Sequence, residues 1–277
     1  MSILLAVAAG ALIGLSLGAL GGGGSILAVP VLVYALGQTP AQATTGSLVV
    51  VGVTSLIGAL TAHRAGTVLP ARGLGFGLVA VAGAMLGAHF SSRVSGAVLL
   101  GSFAALMMVV GGVMAARLVR ARRTVGPGAG RHLAGPSPDD SIISFSPSFA
   151  CACPRALKVL VTATAVGLLT GFLGVGGGFL VVPALLLALG LPMRFAAGTS
   201  LVVITLTSAA ALAVRAGAGS APDWGVVLVL TVVSALGGLV GARLARRIDT
   251  ARLTTGFTVL VLGVAAYTAV RAVPALV

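Results

Sequence analysis

The chain contains no glutamate and only four aspartates, set against 17 lysines and arginines. Charged residues make up 8% of its 277 positions, where a soluble domain carries about 25%. A solvated surface cannot be built from so few charges, so a soluble globular domain is excluded. Aromatic residues are 4% of the chain. With no aromatic or basic stripe over a folded soluble domain, the formal charge of +13 is not a nucleic-acid signature, and no nucleic-acid partner is expected. The two cysteines, Cys151 and Cys153, are too few for a closed zinc site. They read as incidental thiols of a reducing compartment. The run Gly21 to Gly24 is not followed by Gly-Lys-Ser/Thr, so it is not a P-loop. No cofactor or metal site is called for.

The few acids are also in the wrong places for cation chemistry. Asp139 and Asp140 lie in the central segment, Asp223 at a predicted helix start and Asp249 in a short loop. Carriers driven by protons or cations commonly place a carboxylate at mid-membrane. Its absence here points to a neutral or anionic substrate.

What is present is apolar sequence: 58% hydrophobic residues and a mean hydropathy of +1.17. Uncharged apolar runs long enough to cross a hydrocarbon core of ~30 Å recur along the whole length. The alternating ~10-residue strands of a membrane barrel are absent. The expected fold is an all-α polytopic integral membrane protein, with the lipid bilayer as its solvent. The first run lacks a basic flank and a small-residue cleavage site, and reads as a membrane helix rather than a signal peptide.

The sequence repeats itself. Gly21-Gly22-Gly23-Gly24-Ser25-Ile26-Leu27-Ala28-Val29-Pro30 returns, about 153 residues later, as Gly174-Val175-Gly176-Gly177-Gly178-Phe179-Leu180-Val181-Val182-Pro183. Ser47-Leu48-Val49-Val50 answers Ser200-Leu201-Val202-Val203, and Thr54-Ser55 answers Thr207-Ser208. Arg64-Ala65-Gly66 matches Arg215-Ala216-Gly217, and Gly87-Ala88 matches Gly241-Ala242. The division is 1–116 as membrane repeat 1, 117–155 as a basic, Gly/Pro/Ser-rich loop, and 156–277 as membrane repeat 2. Duplicated modules with a glycine break inside apolar sequence are the mark of secondary transporters.

Each copy holds five apolar segments, and the second of them, 25–36 and 179–189, is too short to span comfortably. If all five cross, the copies are inverted. One side then collects 14 of the 17 basic residues, all but Arg93, Arg215 and Arg271. If the short segment turns back, the copies are parallel and the charge divides more evenly. The positive-inside rule favours inverted repeats, ten crossings and a cytoplasmic central loop.

At depth the polar inventory is glycine, serine and threonine. A glycine break exposes backbone N–H groups at the start of the next helix, which favours an anion without a formal charge. Two breaks meeting near a pseudo-two-fold axis would form one substrate site. Copy one would line it with Gly22, Gly23, Gly24, Ser25, Thr44, Thr45 and Ser47. Copy two would add Gly176, Gly177, Gly178, Thr199 and Ser200. Close helix packing is the other use of membrane glycine, and it is the reading given to Gly83, Gly87, Gly237 and Gly241. Arg64 and Arg215 match between copies and read as interfacial anchors or as vestibule charges that draw anions in. His63 and His89 read as interfacial. Ser91 near His89 is the sole hydrolase-like pairing and has no counterpart in copy two, so no enzyme is expected.

These paired modules resemble the TauE/SafE family of membrane permeases. The residues that carry the likeness are Gly21 to Pro30 with Thr44-Thr45-Gly46-Ser47, and Gly174 to Pro183 with Ala197-Gly198-Thr199-Ser200. The resemblance implies a secondary transporter of small sulfur-containing or organic anions, such as sulfite, sulfoacetate or thiosulfate, working outward across the cell membrane. The half-sites are chemically unequal, since Gln38 and Gln42 stand where copy two has Leu191 and Phe195. A passive anion pore and a non-transporting membrane partner acting through the central loop remain as alternatives. Assembly as a homo-oligomer is left open.

Overall fold

The structure is a computed structural model that describes residues 2–91, 93–124, 153–174, 178–215, 222–245 and 250–272. Among the described residues there are helices and no strands. Repeat 1 contains α1 (Ser2–Leu20), α2 (Ser25–Pro30) continued by a π-helical turn (Val31–Ala35), α3 (Pro40–Arg64), α4 (Pro70–Ser91) and α5 (Gly96–Thr124). Repeat 2 contains α6 (Cys153–Leu173), α7 (Gly178–Ala188), α8 (Met193–Arg215), α9 (Trp224–Ala245) and α10 (Thr250–Ala272). The expected linker overlaps the end of α5 and the start of α6. Its remaining residues, with Cys151, lie outside the described ones. α3, α4, α8 and α9 are long and apolar enough to cross a membrane. They are the same two positions in each repeat, and Leu78, Leu228 and Leu236 are turned outward as a lipid-facing surface requires.

Local signals start and stop the helices. Thr39 caps α3: its hydroxyl accepts from Gln42 N at 3.4 Å, while Gln42 Oε1 accepts from Thr39 N at 3.2 Å, and Pro40 fills the first turn. Asp223 caps α9 by accepting from Gly225 N at 3.0 Å. Gly21 and Gly174 end α1 and α6 in the left-handed region, at φ +69° and +64°. Gly37 and Gly190 repeat that conformation after each short helix, at φ +67° and +63°. Backbone shape is therefore duplicated along with sequence. Pro30 withholds an N–H from α2, and the helix loosens into the π turn just beyond it.

The repeats exchange partners. α1 packs on α9, and α6 packs on α4, through backbone contacts that only glycine permits. A Cβ on Gly14 would lie 2.1 Å from the Ser234 carbonyl oxygen, and one on Gly18 would lie 2.0 Å from that of Gly238. Their equivalents Gly167 and Gly171 meet the carbonyl oxygens of Ala80 and Ala84 at 2.0 and 1.9 Å. Gly83, Gly87, Gly237 and Gly241 also face the partner helix's backbone. The outer pair, α5 and α10, holds the short helices: Phe103 of α5 stacks edge-on against Phe179 of α7, and Phe257 of α10 lies against Gly23 beside α2.

Chain direction follows from which residues meet. On α3, Gly52 faces Ser208 and Gly58 faces Leu201, so α3 and α8 are antiparallel. Gly73 meets Thr199 and Gly77 meets Leu206, so α4 and α8 are parallel. Gly46 meets Val227 and Gly238 meets Thr54, so α3 and α9 are parallel. A short segment that merely re-entered would make α3 and α8 parallel. The contacts instead require α2 and α7 to reverse the chain, each starting from a break buried within the bundle. The repeats are inverted. A reporter after Val277 is accordingly expected on the same side as one at the N-terminus, with one inserted near Gly128 on the opposite side; sided protease protection reads this directly.

Candidate functional site

The two breaks meet. A Cβ on Gly22 would lie 2.3 Å from the carbonyl oxygen of Gly178, so the start of each short helix touches the other. Each is pinned by a serine of the opposite repeat: Ser47 Oγ donates to the Gly174 carbonyl, and Ser200 Oγ donates to the Gly21 carbonyl. These reciprocal bonds fall roughly 10 Å into α3 and α8, from seven residues at 1.5 Å each.

Among the expected site residues, Gly22, Gly23, Gly24, Ser25, Thr44, Thr45, Ser47, Gly178, Thr199 and Ser200 are all buried here. Gly176 and Gly177 lie outside the described residues. The hydroxyls are engaged within the protein. Ser25 Oγ donates to the Gly22 carbonyl at 2.7 Å, and Thr44 and Thr45 donate back to the Ala41 carbonyl at 2.9 and 3.1 Å. Thr199 Oγ1 accepts from Leu69 N at 3.1 Å. In this conformation these residues knit the crossing together.

The open space is beside them. A cavity of about 500 Å³ reaches Gly21, Ala197 and Gly198 from the end where α3 and α9 finish and α8 begins. Arg64, Arg194 and Arg243 stand exposed around it, and among the described residues no acid lines it. Arg64 lies at the rim of this cavity. Arg194 and Arg243 are additions; in the sequence they look like topology charges, and only the meeting of three helix ends brings them together.

Arg215 behaves differently from its repeat partner. It is 8% exposed. Nη1 donates to Thr44 Oγ1 at 2.7 Å, and Nη2 donates to Ser91 Oγ at 2.8 Å and to the Gly171 carbonyl at 3.0 Å. The Phe172 carbonyl lies 3.3 Å from Nη2, and Nε is buried without a partner among the described residues. Ser91 therefore serves Arg215, while the His89 ring contacts Arg93 and Phe90. The hydroxyls of Ser55 and Ser208, repeat equivalents on the α3–α8 crossing, are also buried and unpartnered among the described residues. The echo Thr54-Ser55/Thr207-Ser208 was the signal for them.

The sequence model described as Sulfite exporter TauE/SafE matches residues 6–268. The chain belongs to the TauE/SafE family. It is 32% identical over 269 residues to a "Probable membrane transporter protein" of Xylella fastidiosa (strain 9a5c), covering 96% of this chain and 94% of that one. It is 28% identical over 257 residues to "Probable membrane transporter protein YunE" of Bacillus subtilis (strain 168), covering 90% and 91%. No solved structure matches. This TauE/SafE protein is a multi-pass membrane protein of a transporter family, in line with its inverted repeats and buried helix breaks.

Proposed function

We propose that this protein is a secondary transporter that exports small sulfur-containing or organic anions, of the sulfite, sulfoacetate and thiosulfate class, across the cell membrane. The observation that carries the reading is the cavity: three arginines, no acid among the described lining residues, and a floor that reaches Gly21 of the first glycine break. Such a funnel concentrates anions and repels cations. The family's description as a sulfite exporter supports the choice of anion. The positive-inside rule puts the arginine-rich end in the cytoplasm, so the cavity faces the compartment from which an exporter loads.

From that cavity the anion passes to the α3–α8 crossing, where the hydroxyls of Ser55 and Ser208 donate to its oxygens. The residues Gly22, Gly23, Gly24, Ser25, Thr44, Thr45, Ser47, Gly176, Gly177, Gly178, Thr199 and Ser200 form the site once the crossing loosens. Rocking of one repeat against the other then exposes the opposite side. Radiolabelled sulfite flux in proteoliposomes tests the reading: it is expected to saturate, and to be competed by thiosulfate and sulfoacetate more strongly than by chloride. Flux that is linear in sulfite and indifferent to all competitors would mean a passive pore.

A further inference from the structure

Arg215 occupies a place whose counterpart in the other repeat is empty space. An offset of 153 carries Thr44, Gly171 and Phe172 onto Ala197, Gly18 and Ala19, and the offset of 154 that aligns Gly87-Ala88 with Gly241-Ala242 carries Ser91 onto Ala245, so each of the four acceptors has a counterpart. All four counterparts line the open cavity, as does Arg64, the counterpart of Arg215 itself. One half-site is thus open with its arginine withdrawn to the mouth, and the other is filled by its arginine. In an inverted repeat these are the two poses that the two half-sites exchange as access alternates.

The exchange is not between equals. On the filled side the guanidinium is held by two side-chain hydroxyls, Thr44 and Ser91. On the open side both positions are alanine, so of the four equivalent acceptors only the two backbone carbonyls remain for Arg64. Hydrogen bonds from a charged donor are among the stronger ones, so the empty protein favours the conformation seen here. Among the described residues the held charge is also uncompensated: its four acceptors are neutral, Nε has none, and the sole acid, Asp223, is an exposed helix cap. A buried cation without a counter-ion is a position made for an anion.

We propose that Arg215 is the plug of the far half-site and also the charge that receives the anion there. When empty, it closes on Thr44 and Ser91; a small oxyanion offers it charged acceptors in exchange for neutral ones, and the far side opens. The anion role rests on the transport reading above; the plug does not.

Thiol accessibility tests both parts. In a background with Cys151→Ser and Cys153→Ser, Ala242→Cys reports the open cavity and its repeat equivalent, Ala88→Cys, reports the plugged side one turn before Ser91. With a membrane-impermeant maleimide in sided vesicles, Ala242→Cys is expected to label from the arginine-rich side and Ala88→Cys to be nearly inert. Adding Thr44→Ala and Ser91→Ala raises Ala88→Cys labelling from the opposite side by roughly ten-fold or more, the scale of one charge-assisted hydrogen bond lost. The converse pair, Ala197→Thr with Ala245→Ser, gives Arg64 the missing hydroxyls and slows Ala242→Cys labelling. Unchanged labelling in both pairs overturns the plug. Sulfoacetate, which does not consume the maleimide as sulfite would, is expected to raise labelling of the Ala88→Cys reporter saturably without the alanine pair. Sulfoacetate that is transported but leaves this labelling unchanged overturns the anion role alone. An alanine pair that opens the far side in a protein that transports no sulfite supports the plug and overturns the substrate reading.

Discussion

Replacing Gly21 or Gly174 by valine is expected to remove most of the folded protein, with Gly23→Ala as the tolerated neighbour. Two independent costs add at each site. The left-handed conformation costs a β-branched residue about 1–2 kcal/mol or more. A Cβ at Gly21 would also lie 2.4 Å from Ala197 Cα, and one at Gly174 would lie 2.4 Å from Thr44 Cβ. Neither neighbour can swing away, because each belongs to a helix wedged in the crossing. At Gly23 the nearest atoms are side-chain carbons of Leu20, at 3.1 and 3.2 Å, which can yield. Overpacking of a tight core costs about 1–3 kcal/mol before strain is counted, a large share of a domain's net stability of roughly 5–15 kcal/mol. Size-exclusion profiles and thermal melts in detergent should show the valine variants aggregated or strongly destabilised, and Gly23→Ala close to the parent. Equal melting of all three would mean that the breaks are not held as described.

Neutralising the cavity is expected to have the largest effect on transport. The triple change Arg64→Gln, Arg194→Gln and Arg243→Gln should lower sulfite kcat/KM by roughly ten-fold or more, the lower end of what a charged cleft adds to an on-rate. Most of the loss should fall in KM, since the arginines are exposed and gather the anion rather than carry it across. The flux of the parent should fall with added inert salt on the scale of a Debye length of about 10 Å at 0.1 M, and the triple variant should be nearly salt-independent. Single changes should each have a fraction of the effect. Folding should survive, because these side chains are exposed.

Much of this architecture is legible in the sequence, and the reasons are local. The register of the repeats is visible because a duplicated backbone needs duplicated glycines: Gly21 and Gly174, and Gly37 and Gly190, share positive φ as well as register. The inverted arrangement follows from an odd number of segments and from where the arginines fall, and the antiparallel α3–α8 contacts bear it out. What sequence cannot show is partner choice. The exchange of α1 onto α9 and α6 onto α4 is a long-range event, and it decides which helix ends enclose space. Arg194 and Arg243 become cavity residues for that reason. Arg64 and Arg215 sit in matching local sequence yet have opposite environments, because Thr44 and Ser91 of repeat 1 meet Arg215 while Ala197 and Ala245 line the open cavity. The hydroxyls read as substrate ligands turn out to bond the backbone around them, which no pattern of serine and threonine spacing distinguishes from a vacant site.

The central claim is that the crossing of the two breaks alternates its access to carry an anion, and counterflow tests it most directly. Proteoliposomes loaded with unlabelled sulfite are diluted into a trace of labelled sulfite, for the parent and for Gly22→Leu, whose side chain would wedge against Gly178. The account predicts a transient overshoot of label inside the parent vesicles, and no overshoot for a Gly22→Leu protein that still elutes as a folded particle. Label that equilibrates without overshoot in the parent, or an undiminished overshoot in Gly22→Leu, would contradict it.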